Sequence, residues 1–225
     1  PDFNYPKTVI SNSETAMQAA IEANDGKELV KHLVRYSIAQ SMISDDNASL
    51  ILAKIDQTLE KEKAADTRAL LFYFKAFVIN SFSNELPYSR KNATDGPVSA
   101  DPSEWDRAQC KAMAVDCCQK AIAEARNAKD KKITDYEEII SFDSAVSPRL
   151  CPSIYDFIVY KSLDLFGRDY YTDYDSEKTA IFDEWKNSNA GNEEASIFVD
   201  YNEAQRDMAC TTATWKNLYL KHKDN

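Results

Sequence analysis

Apolar residues recur along this chain at helical spacing, and the strict alternation of a half-buried strand is scarce. Val9, Ala16, Ala20 and Ala23 give a small-residue face to a helix over residues 6–24, which Asp25-Gly26 is expected to stop. A second helix over 27–44 carries Leu29, Leu33, Tyr36 and Met42 near helical period, with Val30, Val34 and Ile38 widening the stripe. A third follows the Asp45-Asp46-Asn47 cap cluster, has Leu52, Ile55 and Leu59 as its seam, and ends in Glu60-Lys61-Glu62-Lys63. In the fourth, over 66–82, Leu70, Leu71, Phe72, Phe74, Phe77, Val78 and Phe82 surround most of the circumference. A helix apolar on nearly all sides belongs in the middle of a core.

The pattern breaks over 84–102, where Pro87, Gly96, Pro97 and Pro102 predict a long loop. A fifth helix over 103–129 starts at Ser103 as N-cap, with Asp106 three residues on where a capping box has Glu or Gln. It offers two seams: Trp105, Ala108, Ala112, Val115 and Ile122, and a small-residue face of Ala114, Cys117, Ala121 and Ala125. Residues 133–151 read as an irregular connection with a short extended piece at Glu138-Ile139-Ile140. The sixth helix, 152–166, opens on Pro152, is rich in Ile154, Phe157, Ile158, Val159, Leu163, Leu165 and Phe166, and is ended by Gly167. A seventh covers 176–187, and an eighth 192–220 with a break near Thr211-Thr212.

Leu33-x-x-Tyr36-x-x-Ala39 recurs 37 residues on as Leu70-x-x-Tyr73-x-x-Ala76. Repeat periods of this size belong to helical-hairpin arrays; the tetratricopeptide repeat runs at about 34, though its Trp-Leu-Gly-Tyr signature is missing here. The expected fold is all-α: stacked antiparallel helical hairpins over 1–225, tetratricopeptide-like or an irregular α-α superhelix.

Composition supports that class. Only 4 Gly and 7 Pro in 225 residues supply too few turns for a sandwich or barrel. The net charge of -10 opposes phosphate backbones and anionic lipid surfaces, so neither nucleic acid nor membrane insertion is expected. No apolar run approaches the roughly 18 residues of a membrane span.

Candidate chemistry is sparse. His32 and His222 have no Cys or second His at ligand spacing, and no nucleophile elbow, phosphate loop or dinucleotide glycine pattern is present. Cys110 and Cys117, seven apart on one helix, lie about 10 Å apart, beyond disulfide reach. Cys117 and Cys118 point about 100° apart on the same helix, so buried structural thiols are expected, with a bridge to Cys151 or Cys210 as the lesser reading. Asp173, Asp175, Glu177 and Glu184 match positions 1, 3, 5 and 12 of a calcium loop, but Lys178 replaces the glycine the turn needs. A solvated loop and helix cap is the expected role, or a protein contact through Tyr170, Tyr171 and Tyr174. Expected, therefore, are no catalytic residue, no cofactor-binding residue, no metal ligand, no cofactor and no enzyme activity.

The segments Asp2-Phe3-Asn4-Tyr5-Pro6-Lys7-Thr8-Val9, Asn24-Asp25-Gly26 and 151–164 (Cys-Pro-Ser-Ile-Tyr-Asp-Phe-Ile-Val-Tyr-Lys-Ser-Leu-Asp) resemble the helical N-terminal region of large bacterial alpha-2-macroglobulin-like proteins. That resemblance implies a fragment of an exported, periplasmic or cell-envelope parent that traps proteases, its partner being another protein or neighbouring domains of the same chain. The thioester motif Cys-x-Glu-Gln of that family is missing here, so covalent trapping is not expected of this segment. Its unpaired cysteines suit the alternative, a cytoplasmic helical-repeat protein that binds a peptide or small ligand in a groove between hairpins.

Overall fold

A computed structural model describes residues 4–43, 47–86, 99, 101–141, 148–167 and 183–192. The chain is all-α there, with α1 (Pro6–Ala23), α2 (Gly26–Ser41), α3 (Asn47–Lys61), α4 (Ala65–Glu85), α5 (Arg107–Ala125) and α6 (Ile154–Gly167). A further short helix covers 183–188, and 3-10 turns cover Pro102–Glu104, Arg126–Ala128 and Ile133–Tyr136. No strand occurs among the described residues; the extended backbone pairing there is a single bridge between Lys132 and Ser153. Of the expected loop over 84–102, residues 84–85 belong to α4 and Pro102 opens a 3-10 turn; its residues 87–98 and 100, the eighth helix beyond Asn192, the start of the seventh, Cys210, His222 and the Tyr-rich acidic stretch 169–177 lie outside the described residues.

Two antiparallel pairs, α1 with α2 and α4 with α5, pack most extensively; α3 rests more sparsely on α2 and α4, and α6 lies on α5. Leu33, Tyr36 and Ala39 are buried, as are Leu70 and Ala76, while Tyr73 meets the Phe157 ring edge-on at 6.0 Å. The repeated triad thus occupies the second helix of one pair and the first helix of the other.

Local chemistry explains several departures from the sequence pattern. The first helix ends at Ala23, because Asn24 takes the left-handed cap (φ 53°), where its amide and that of Asp25 close back on Ala20 and Ile21. Gly26 is instead the first residue of α2, with the Asp25 carboxylate accepting from the Glu28 amide as N-cap. Gly26 is needed for close approach: a Cβ there would lie 1.8 Å from Thr67 Oγ1 in α4. The fifth helix starts at Arg107, not Ser103. The Asp106 carboxylate accepts from the Gln109 amide and the Gln109 side-chain carbonyl accepts from the Asp106 amide, so the N-cap lies one turn later than expected and forms a capping box that Ser103 lacks. The extended piece at 138–140 is a turn, since the amides of Ile139 and Ile140 both donate to the Tyr136 carbonyl. Helix α6 begins after Pro152 with a Ser153–Asp156 cap: the Ser153 amide and hydroxyl donate to the carboxylate, and the Asp156 amide donates to the hydroxyl. It runs through Gly167 rather than stopping before it.

Burial sorts the competing seams. In α1 the buried stripe is Val9, Ser13, Met17 and Ala20, whereas Ala23 is exposed. In α5 the small-residue face is buried throughout (Ala114, Cys117, Ala121 and Ala125, with Cys110 and Cys118), while the other seam is split: Trp105 and Ile122 are buried, Val115 is half-buried, and Ala108 and Ala112 face solvent. Small side chains let α4 settle closely along the small-residue face. Helix α4 is not buried all round, since Ala69, Leu70, Leu71, Ala76 and Ile79 face the core but Phe77 is 50% exposed. Trp185, Tyr155 and Ile158 are among the largest fully buried side chains and seat the 183–188 helix and α6 on the bundle.

The first turn of α4 is a junction. The Arg68 guanidinium donates to the Leu59 and Glu62 carbonyls at the end of α3 (2.9 and 3.1 Å) and pairs with Glu124 of α5 at 2.6 Å. Beside it, Thr67 abuts Gly26 of α2, and the Tyr136 hydroxyl donates to Asp66. None of the described helices is long and apolar enough to cross a membrane.

Candidate functional site

At the end of the bundle away from that junction, α2, α3 and α4 bound a groove of ≈540 Å³. Each helix lines it with one face. Helix α4 contributes Phe74, Phe77, Val78, Ser81, Phe82 and Glu85, an i, i+3, i+4, i+7, i+8, i+11 series. Helix α2 contributes Val34, Ser37, Ile38 and Ser41, and the first turns of α3 contribute Asn47, Ala48 and Ile51. Leu86 closes the end of the α4 wall.

Three aromatic rings and six aliphatic side chains make the lining apolar. Two of its polar members are turned to their own helix: the Ser37 hydroxyl donates to the Leu33 carbonyl and that of Ser41 to the Ile38 carbonyl. Glu85 is the one ionisable side chain in the lining. Ile38 (45% exposed) and Phe77 (50%) stand open to solvent, and Met42, Ile43 and Leu50 add exposed apolar surface in the adjoining turns. Contiguous exposed apolar surface of this kind marks interaction sites. Phe77 and Ile38 were expected to face the core because the sequence shows periodicity but not the gap between helices.

The thiols lie elsewhere. Cys110, Cys117, Cys118 and Cys151 are free and buried. Burial pushes the Cys117 thiol up to about 11 and those of Cys118 and Cys151 up to about 12, so they are protonated and inert as nucleophiles at neutral pH. No group of three or more His, Cys, Asp or Glu side chains able to hold a metal ion occurs among the described residues. Glu184, position 12 of the calcium register, is engaged by cations of the protein itself, with Arg126 at 2.6 Å and Lys129 at 3.5 Å. The hydrogen bond from Arg126 holds its carboxyl down to about 2. Lys129 also sits 4.2 Å over the Tyr155 ring, so this cluster fastens the 183–188 helix to α5 and α6. His32 faces Glu28, with Nε2 at 3.2 Å from the carboxylate.

No family model, curated protein or solved structure matches this chain.

Proposed function

We propose that this chain is a non-enzymatic helical scaffold that binds an apolar segment of another protein, or of a neighbouring domain of its own parent chain, in the α2–α3–α4 groove. The observation that carries this reading is the groove itself: an apolar lining drawn from three helices, with Ile38 of α2 and Phe77 of α4 exposed to solvent, in a chain of net charge -10. A helix-in-groove mode fits, because the walls repeat at one-turn spacing and match i, i+3, i+4 anchors on an incoming helix. The inert thiols and the near-absence of ionisable groups in the groove favour binding over catalysis. Within the all-α class we read an irregular α-α hairpin stack rather than a regular tetratricopeptide array; the repeated triad, on non-equivalent members of the helix pairs, supports that reading.

The resemblance of residues 2–9, 24–26 and 151–164 to alpha-2-macroglobulin-like proteins supports a parent that is exported to the cell envelope, with this segment as its N-terminal helical module. A second reading, a small apolar ligand or peptide in the same groove, is favoured by its volume, which falls within the roughly 300–1,000 Å³ of ligand pockets.

A photo-crosslinking amino acid at position 77 of the full-length parent tests the first reading, with position 61 as a control on the exposed end of α3. Cross-links from 77 to protein, not matched from 61, support it. A groove that cross-links to no protein but retains a co-purifying small molecule replaces it with the second.

A further inference from the structure

Away from that groove, a cleft of ≈400 Å³ lies between α1 and α2, lined by Tyr5, Thr8, Val9, Asn12, Ser13, His32 and Arg35. We propose that it binds an organic carboxylate carried on an apolar or aromatic body. This assignment is independent of the groove and of the function proposed for it.

Two unspent polar groups carry the argument. Arg68 and Arg126 each hold a carboxylate, but half-buried Arg35 makes no ion pair or hydrogen bond among the described residues. Its helical neighbours one turn away are Lys31, His32, Ile38 and Ala39, so its own helix supplies no acid. On the opposite wall, Ser13 is only 3% exposed, yet its hydroxyl has no hydrogen-bond partner among the described residues. Other helical hydroxyls here, those of Thr15, Ser37 and Thr58, donate back to the carbonyl four residues before. Ser13 makes no such bond, and it lines the cleft.

A carboxylate satisfies both groups at once: it takes the guanidinium fork on one side and accepts from the hydroxyl on the other. No acidic side chain lines the cleft, and the nearby Glu28 is occupied by His32 and Lys31. Beside Thr8 and Asn12, Val9 and the Tyr5 ring give the cleft an apolar and aromatic patch on which an organic body can rest, which an inorganic anion lacks. The carboxylate can belong to a small aromatic acid or to the free C-terminus of a peptide.

The test is titration of the 225-residue chain, followed by NMR, with N-acetyl-phenylalanine, with a tetrapeptide ending in phenylalanine, and with the C-terminal amide of each. Expected are shifts clustered on residues 5–13 and 32–35 with either acid, and none with the amides. Arg35→Gln weakens binding at least about tenfold, the loss expected for a charged hydrogen bond; Arg35→Lys weakens it less, and Lys61→Gln leaves it unchanged. Ser13→Ala, which keeps the packing, weakens it too. Tighter binding of one acid identifies the source. Equal binding of acids and amides, indifference to Arg35→Gln in a variant with wild-type melting, or shifts outside the cleft overturn the proposal.

Discussion

Arg68 shows how much one side chain decides. Its fork caps two carbonyls of α3 and holds Glu124 of α5, so three helices share one guanidinium. Lysine keeps the charge but offers a point rather than a fork. Arg68→Lys should lower stability by about 1–2 kcal/mol, read as a fall in the urea midpoint at unchanged slope; an unchanged midpoint would show that water replaces those bonds without loss. Glu184 gives a pH-dependent case. Its carboxyl is depressed to about 2, first by the Arg126 hydrogen bond. A depressed carboxyl stabilises the fold fully above its ordinary range, near about 4.3, and loses that contribution as pH falls toward the folded value. Because the pair is partly solvated (44% and 33% side-chain exposure), about 1 kcal/mol is expected between neutral pH and pH 2. NMR titration of Glu184 should show a midpoint that rises toward the ordinary range in Arg126→Ala; an ordinary midpoint in the native chain rejects the account.

At the scale of elements, six helices were legible because apolar residues mark their faces, and Leu29, Leu33, Leu52, Ile55 and Leu59 are buried as their spacing requires. Boundaries were less legible, because caps depend on which polar side chain folds back. Ser103 and Asp106 are both good caps by composition; only the reciprocal bonds with Gln109 choose Asp106. Replacing Asp106 by Ala should cost about 1–2 kcal/mol and fray the first turn of α5, seen as faster amide exchange at residues 107–110. Gln109→Ala should do less, since it removes one of the two bonds. The choice between the two seams of α5 was open for a different reason: alanine fits either side, and the close approach of α4 decides it. Nothing in the local sequence gives that approach. The candidate groove was half legible, in that Phe74, Phe77, Val78 and Phe82 were recognised as one apolar run, but their exposure depends on how far α2 and α3 stand away.

For the molecule as a whole, ties are concentrated at one end. Asp66, Thr67 and Arg68, three consecutive residues, meet the 133–136 turn, α2, α3 and α5. Amide exchange should therefore be slowest in residues 68–72 of α4 and 29–33 of α2, and faster in 80–85 and 38–41, where the helices bound an open groove. Uniform protection along α4 would contradict this distribution.

That asymmetry makes the bundle a pair of forceps. Helices α2, α3 and α4 are gripped where α2 and α4 begin and α3 ends, and the jaws are the far ends that hold the groove. From Thr67 to Glu85 the arm is roughly 27 Å long, so a rotation of about 5° at the grip displaces the jaw by about 2 Å. A change at Gly26, Thr67 or Arg68, none of which lines the groove, is thereby a change in what the groove can hold.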